Sequence, residues 1–305
     1  MLRTALTLAL SAVAATAFAQ EAPGLKNLGP AGEITKVQGG FQFTEGPAWD
    51  GHGTLYFSDI PANLIYQVRN GKVEKFLEEA GHTNGLMVSA KGTLYACRMD
   101  GEIIAIDPKT KKITTVTGKY EGKRYNAPND LVLDKQGGIY FTDPHFRSPD
   151  PLPQGTTAVY YVDAEGKVTR LLDDLKAPNG VILSPDEKTL YVVPTGQKEM
   201  MAYPVDAPGK LGKGRVFCTL KQKQDGGNSG GDGLAIDSEG NLYITSGLGL
   251  QVFNPKGEML GIIELPEQPA NAKFGGPDLK TLYVTARTGL YAVPMKVKGH
   301  AFPGK

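Results

Sequence analysis

A short pattern that comes round six times constrains this chain more than any other feature. It starts as Glu45-Gly46-Pro47-Ala48-Trp49 and leads to Gly53-Thr54-Leu55-Tyr56-Phe57. Its relatives begin at Asn84, Asn129, Asn179, Asp232 and Asn271. Each passes through a short apolar stretch and a Gly-, Asp- or Ser-containing turn to a strand that carries Tyr95, Tyr140, Tyr191, Tyr243 or Tyr283. From leading polar residue to tyrosine the offsets are 11, 11, 11, 12, 11 and 12, and successive leads lie 39, 45, 50, 53 and 39 residues apart. That spacing is the length of one four-stranded propeller blade, a unit that buries its faces only by stacking against its neighbours.

The later strands of each unit are legible too. Leu64 to Val68 and Val73 to Phe76 flank Arg69-Asn70-Gly71, where Asn-Gly signals a tight hairpin. Ile103 to Ile106 with Ile113 to Val116, and Val159 to Val162 with Val168 to Leu172, repeat the arrangement. No segment beyond about ten residues keeps a helical period. The 39 glycines among 305 residues suit a chain full of turns. The expected fold is all-β, a six-bladed β-propeller whose ring closure removes the long exposed edges of an open sheet. Glu33 to Val37 is expected to pair with Gly289 to Val293 and lock the circle.

Hydrophobic residues make up 40% and charged residues 21%, enough apolar material for a sizeable core. Lys plus Arg (33) nearly cancels Asp plus Glu (32) and no basic block occurs, which argues against nucleic acid and anionic membrane as partners. Met1-Leu2-Arg3, the apolar run Thr4 to Phe18 and the small residues Ala17 and Ala19 have the three parts of a secretory signal, and the run is short for a bilayer span. Residues 1–19 thus read as a cleaved signal peptide, 20–32 as an N-terminal extension and 33–305 as one propeller domain, exported to the periplasm or secreted and free of the membrane after cleavage. Cys97 and Cys218 are too few for a disulfide framework and read as buried small hydrophobes, a single bridge being the alternative. With His52, His82, His145 and His300 they form no close-spaced zinc cluster.

In a propeller the first strand of each blade lines the channel, so Glu45, Asn84, Asn129, Asn179, Asp232 and Asn271 should face one another near its mouth. All six carry a side-chain oxygen. Taken singly they read as turn residues that cap the entry into a strand. Taken together, two carboxylates and several amide oxygens make a cage for one hard divalent cation. Ca²⁺ suits such mixed, flexible ligation best, with Zn²⁺, Mg²⁺ and Mn²⁺ as alternatives.

The segments Phe43-Thr44-Glu45-Gly46-Pro47, Arg124-Tyr125-Asn126-Ala127-Pro128-Asn129-Asp130, Tyr140-Phe141-Thr142-Asp143-Pro144, Ala177-Pro178-Asn179-Gly180, Asp232-Gly233 and Phe274-Gly275-Gly276-Pro277-Asp278 resemble the gluconolactonase and regucalcin (senescence marker protein) family in order and spacing, from about Glu33 to Pro294. The resemblance implies a six-bladed propeller with one divalent cation at the channel and hydrolysis of sugar lactones. It places the metal ligands on Glu45, Asn129, Asn179 and Asp232, Asn129 being also a candidate for substrate contact, and substrate contacts on Arg124 and Asn126. Diisopropyl fluorophosphatase is similar in architecture and in its Ca²⁺ cage. Asn84 and Asn271 would line the funnel. The loop from Asp143 to Gly155 borders it with His145, a candidate substrate donor, and Arg147, while His82 precedes Asn84.

The expected chemistry is metal-assisted opening of a small-molecule lactone. The cation polarises the ring carbonyl, water attacks, Asp232 takes the proton of the water, and Glu45 anchors the cation from the opposite side. Two alternatives stand beside it: a phosphotriesterase or arylesterase on the same cage, and a non-catalytic propeller that binds a partner. The closed ring leaves no edge that must pair, so a monomer is expected.

Overall fold

A computed structural model describes residues 23–224 and 230–302. The segment expected to be a signal peptide, with the new N-terminus expected near Gln20, lies outside the described residues. Six antiparallel sheets of four or more strands follow one another along the chain. Their innermost strands are Thr44–Trp49, Thr83–Val88, Leu131–Leu133, Pro178–Leu183, Leu234–Ile236 and Pro269–Gly275. Each inner strand packs beside the next and the sixth returns to the first, so the sheets are blades of a closed ring. Burial falls from the centre outward: Thr83–Val88 is buried throughout, whereas the outermost strands Lys72–Glu78 and Ile113–Thr117 are largely exposed. The core lies between blades, where Tyr140, Tyr160, Phe141, Leu242 and Phe253 are at most 2% exposed.

Closure comes from the two ends of the chain. Thr35–Gly39 forms the outer strand of the last blade and pairs antiparallel with Gly289–Pro294, two residues further along than the pattern suggested. The segment before it is not loose: Leu25 and Leu28 are 3% and 6% exposed within the core shared by blades five and six. Cys97 and Cys218 are buried and unbonded to each other.

The repeat can be explained slot by slot. Five residues after the lead, in five of the six repeats, stands a short polar residue that bends the first hairpin. Asp50, Asp134 and Asp237 each accept two backbone N–H groups of the turn, and Ser89 and Ser184 accept one through Oγ. The outer hairpin at Asn70-Gly71 has positive φ at both residues, 51° and 74°, the geometry that twists with the strands. One residue after the lead, glycine fills four of the six slots because the next blade's backbone lies against it. A Cβ on Gly46 would overlap the Asn84 carbonyl, and one on Gly180 would press on the Asp232 carbonyl.

Those contacts are also hydrogen bonds. Gly85 N donates to Asn129 O at 2.7 Å, Gly180 N to Asp232 O at 3.1 Å and Gly233 N to Ala270 O at 2.8 Å. Hydroxyls on the second strands add further ties, Ser58 Oγ to Asn84 O at 2.8 Å and Thr142 Oγ1 to Asn179 O at 2.6 Å. The lead residues therefore spend their backbones on the blade seams and keep their side chains for the channel.

The longer repeat spacings are insertions. A two-stranded hairpin, Lys119–Tyr120 with Lys123–Arg124, follows the second blade, and the fourth blade's third strand, Glu199–Ala207, runs on into a small hairpin with Lys210–Leu211.

Candidate metal and substrate site

All six lead residues stand at the same end of the inner strands. Glu45, Asn84, Asn129, Asn179 and Asn271 are 3–6% exposed, while Asp232 is half-buried. Glu45 and Asp232 are close enough to feel each other's charge, and Asn271 and Asn179 stand near enough to Glu45 and Asp232 respectively to favour their charged forms. Glu45 Oε2 accepts Gly46 N at 2.9 Å, and Asn179 Nδ2 donates to Thr195 Oγ1 at 2.9 Å. Among the described residues the amides of Asn84 and Asn129 make no side-chain hydrogen bond, although both residues are buried. Neither amide is among the fully enclosed polar atoms that lack a partner, so both keep an open edge that a ligand at the ring could meet.

A third carboxylate joins the first two. Asp130 occupies the slot that is glycine in four other repeats. It is 8% exposed, accepts Leu131 N at 2.9 Å through Oδ1, and meets Asn271 Nδ2 at 3.5 Å through Oδ2. Burial is the largest effect on all three acids and pushes them above the usual carboxylate range, and mutual repulsion adds to it at Glu45 and Asp232. Asp130 is raised to about 6, with Asn271 and Lys273 acting against the shift. Among the described residues none of the three forms an ion pair within 4.0 Å. Three crowded acids with buried amide oxygens beside them form a donor set suited to a hard cation. No three His, Cys, Asp or Glu among the described residues are grouped to hold a metal alone, so amide oxygens would have to complete the set.

Below the ring the channel narrows. The positions two after each lead are Pro47, Leu86, Leu131, Val181, Leu234 and Lys273, five apolar residues and one ammonium, and all border a cavity of about 30 Å³. That is room for a water and far too little for a sugar ring. Burial lowers Lys273 to about 8, and the charge of Asp130 pulls it back up. The far end is covered by the chain's last described residues: His300 N donates to Ile236 O at 3.2 Å, and Lys273 Nζ sits 4.8 Å over the Phe302 ring. Anything larger than water must reach the ring from the lead-residue end.

The other predicted residues are more dispersed. Arg124 is half-buried and donates to the carbonyls of Tyr125 at 2.9 Å and Asn126 at 3.1 Å. Asn126 is fully buried, with its amide donating to Thr156 O at 2.8 Å and Asp143 O at 3.3 Å and accepting Gln154 N at 3.0 Å. It is built into the loop instead of presenting an atom to the channel. His145 is exposed beside Phe146, and Arg147 is exposed. His82 Nδ1 lies 3.2 Å from Asp100 Oδ1.

Asp143, raised to about 7 by burial, accepts the N–H groups of Asn126 and Ala127, three and two residues before the lead. Asp59 does the same for Gln42 and Phe43. Blades two and four lack that aspartate, and there the residue two before the lead, His82 or Ala177, takes φ 52°.

Sequence reasoning missed three charged residues near the ring. Asp130 and Lys273 break the pattern in slots otherwise filled by small or apolar residues, which is a signal the repeat contains. Arg287 gives none: it sits in a turn, exposed, and its charge reaches Asp232.

Comparison with known proteins places the fold in a family. A gluconolactonase of Zymomonas mobilis is 32% identical over 293 residues, covering 87% of this chain and 82% of its own. A gluconolactonase structure from Xanthomonas campestris superposes with a TM-score of 0.80 at 32% identity, covering 89% of this chain and 91% of that one. A calcium-binding protein, regucalcin, from Agrobacterium tumefaciens gives 0.73 at 25% identity, covering 88% and 95%. Residues 43–288, which contain the whole ring, match the SMP-30/Gluconolactonase/LRE-like region, and the chain belongs to that family.

Proposed function

We propose that this protein is a metal-dependent hydrolase that opens sugar lactones. The observation that carries the reading is the ring itself: Glu45, Asp232 and buried amides converge at the open end of a channel too narrow for a sugar, in a chain akin to named gluconolactonases. Glu45, Asn129, Asn179 and Asp232 are the residues that would hold the cation. Their oxygen-only donor set favours Ca²⁺, in keeping with the calcium-binding regucalcin of similar fold. When bound, the cation supplies Lewis-acid polarisation of the lactone carbonyl and charge to offset the developing oxyanion.

The rest of the chemistry falls to side chains. Asp232 is half-buried whereas Glu45 and Asp130 are buried, so it is the carboxylate placed to take a proton from attacking water. Glu45 lies deeper and holds the opposite side of the site. Asn84 and Asn271 wall the ring. Arg124 and Asn126 act from underneath, by fixing the backbone that carries Asn129.

The N-terminal segment supports export to the periplasm or the medium. Large hydrophobics exposed among the described residues are scattered singly, at Ile113, Val216 and Met259, which supports a monomer.

Acid release from glucono-1,5-lactone, followed by pH-stat on protein beginning at Gln20, tests the reading. Turnover should disappear on chelation, return with Ca²⁺, and fail in Asp232→Asn and Glu45→Gln. Folded, Ca²⁺-loaded protein that releases no acid above background would refute lactone hydrolysis. Activity on an aryl ester or phosphotriester instead would keep the site and change the substrate.

A further inference from the structure

We propose that Arg287 is the receptor for the carboxylate that lactone opening creates, and so sets how strongly the ring-opened acid is held. The proposal rests on the lactonase reading and concerns a residue at the mouth of the ring, outside the four proposed ligands. Arg287 lies in the two-residue turn between the strands Thr281–Ala286 and Gly289–Pro294. Its backbone is left-handed, φ 46°, which a branched or long side chain adopts only where its surroundings impose it.

Those surroundings are specific. On one side the Arg287 carbonyl accepts Thr44 N at 2.8 Å and Thr44 Oγ1 at 3.3 Å, and Thr44 immediately precedes Glu45. On the other, Thr288 donates to Glu267 Oε2 through N at 2.9 Å and Oγ1 at 2.8 Å. Glu267 is itself fixed by Lys36 Nζ and Tyr291 Oη, each at 2.7 Å from Oε1. The turn is held from both flanks, and what it presents is a guanidinium.

Among the described residues that guanidinium forms no ion pair and no hydrogen bond. Its carbon stands 5.4 Å from the centroid of the Phe43 ring, two residues before Glu45. Arginine stacked on an aromatic face keeps its planar fork of donors available for a carboxylate.

Opening the lactone adds water across the acyl C–O bond. The carbonyl carbon becomes a carboxylic acid, which releases one proton, and the ring oxygen becomes a hydroxyl. The substrate is neutral and the product an anion, in a mouth otherwise lined by Glu45, Asp130 and Asp232. Arg287 distinguishes the two by charge.

Calorimetric titration of D-gluconate into the Ca²⁺-loaded protein tests this without relying on turnover, with D-glucitol, which keeps the hydroxyls and lacks the carboxylate, as the control. Arg287→Ala should weaken gluconate binding by about tenfold or more, the loss expected for one charge-assisted hydrogen-bonded pair, and leave glucitol unchanged. Arg287→Lys should recover only part of the affinity. In turnover, inhibition by gluconate should relax in Arg287→Ala by more than KM for the neutral lactone rises. Equal gluconate affinity in wild type and Arg287→Ala, an equal loss for glucitol, or no gluconate binding by wild type would each overturn the assignment. If Arg287→Ala behaves as wild type while lactone is still hydrolysed, the proposal fails and the lactonase reading stands.

Discussion

Thr142 and Asn179 belong to different blades, and the hydroxyl of one donates to the carbonyl of the other at 2.6 Å. The bond fixes the backbone of a proposed cation ligand from across a seam, and the same relation recurs between Ser58 and Asn84. Ring geometry is thereby tied to blade packing. Thr142→Val keeps the shape and removes the donor. It should cost about 1–3 kcal/mol in urea or thermal unfolding, the penalty for an unsatisfied buried acceptor. It should also weaken Ca²⁺ binding by roughly 10–100-fold, as loss of a ligand-supporting bond does elsewhere. Unchanged Ca²⁺ affinity in a destabilised variant would separate packing from ligation.

Glu45, Asp130 and Asp232 oppose one another's ionisation. Glu45→Gln should therefore melt higher than wild type when both are chelated, because one buried charge has gone, and gain less than wild type on adding Ca²⁺. Differential scanning calorimetry with and without chelator gives both comparisons from the same pair of proteins.

The pH dependence of the chelated protein follows from Asp130, whose folded-state value is raised to about 6 from 3.8. A carboxylate raised on folding adds stability that is fully present below its unfolded value and lost as pH rises through the folded one. Stability of the chelated protein should carry a loss of up to about 3 kcal/mol from this group between roughly pH 4 and 6. Asp130→Asn should make that stretch of a melting-temperature profile less steep by this amount, the remaining slope coming from Glu45, Asp143 and Asp232, which burial also raises. His300, lowered to about 4 chiefly by burial, works the other way: its contribution is present above its unfolded value and lost as pH falls through about 4. The Asp130→Asn difference profile cancels it.

Gly233 has an ordinary negative-φ backbone, yet a Cβ added there would overlap the Asn271 amide. Gly233→Ala should displace Asn271, cost about 1–3 kcal/mol as overpacking does, and reduce lactone turnover. A structure of the variant with Asn271 unmoved would contradict this.

Much of the fold was legible because a propeller repeats its physics. The turn residues at Asp50, Asp134 and Asp237 and the glycines after the leads mark the same slots in blade after blade, so the strands and the ring of leads could be read by alignment of the chain with itself. Asp130 and Lys273 were legible in principle, as exceptions to slots. Asn126 was not. Its segment resembles one that touches substrate, but Gln154, nearly thirty residues later, donates its backbone N–H to Asn126 Oδ1, turning the side chain into loop scaffold. Arg287 was equally hidden, since its direction depends on Thr44 and Glu267, far away in sequence.

The strand Thr35–Gly39 closes the circle against Gly289–Pro294, and the same seam brings Glu45 of the first blade beside Asn271 of the last. The proposed ligands run from Glu45 on the first blade to Asp232 on the fifth, so a cation held by all four would find no complete site on a growing chain or on half of the propeller. Under the proposed reading, tight metal binding would therefore report on completion of the ring.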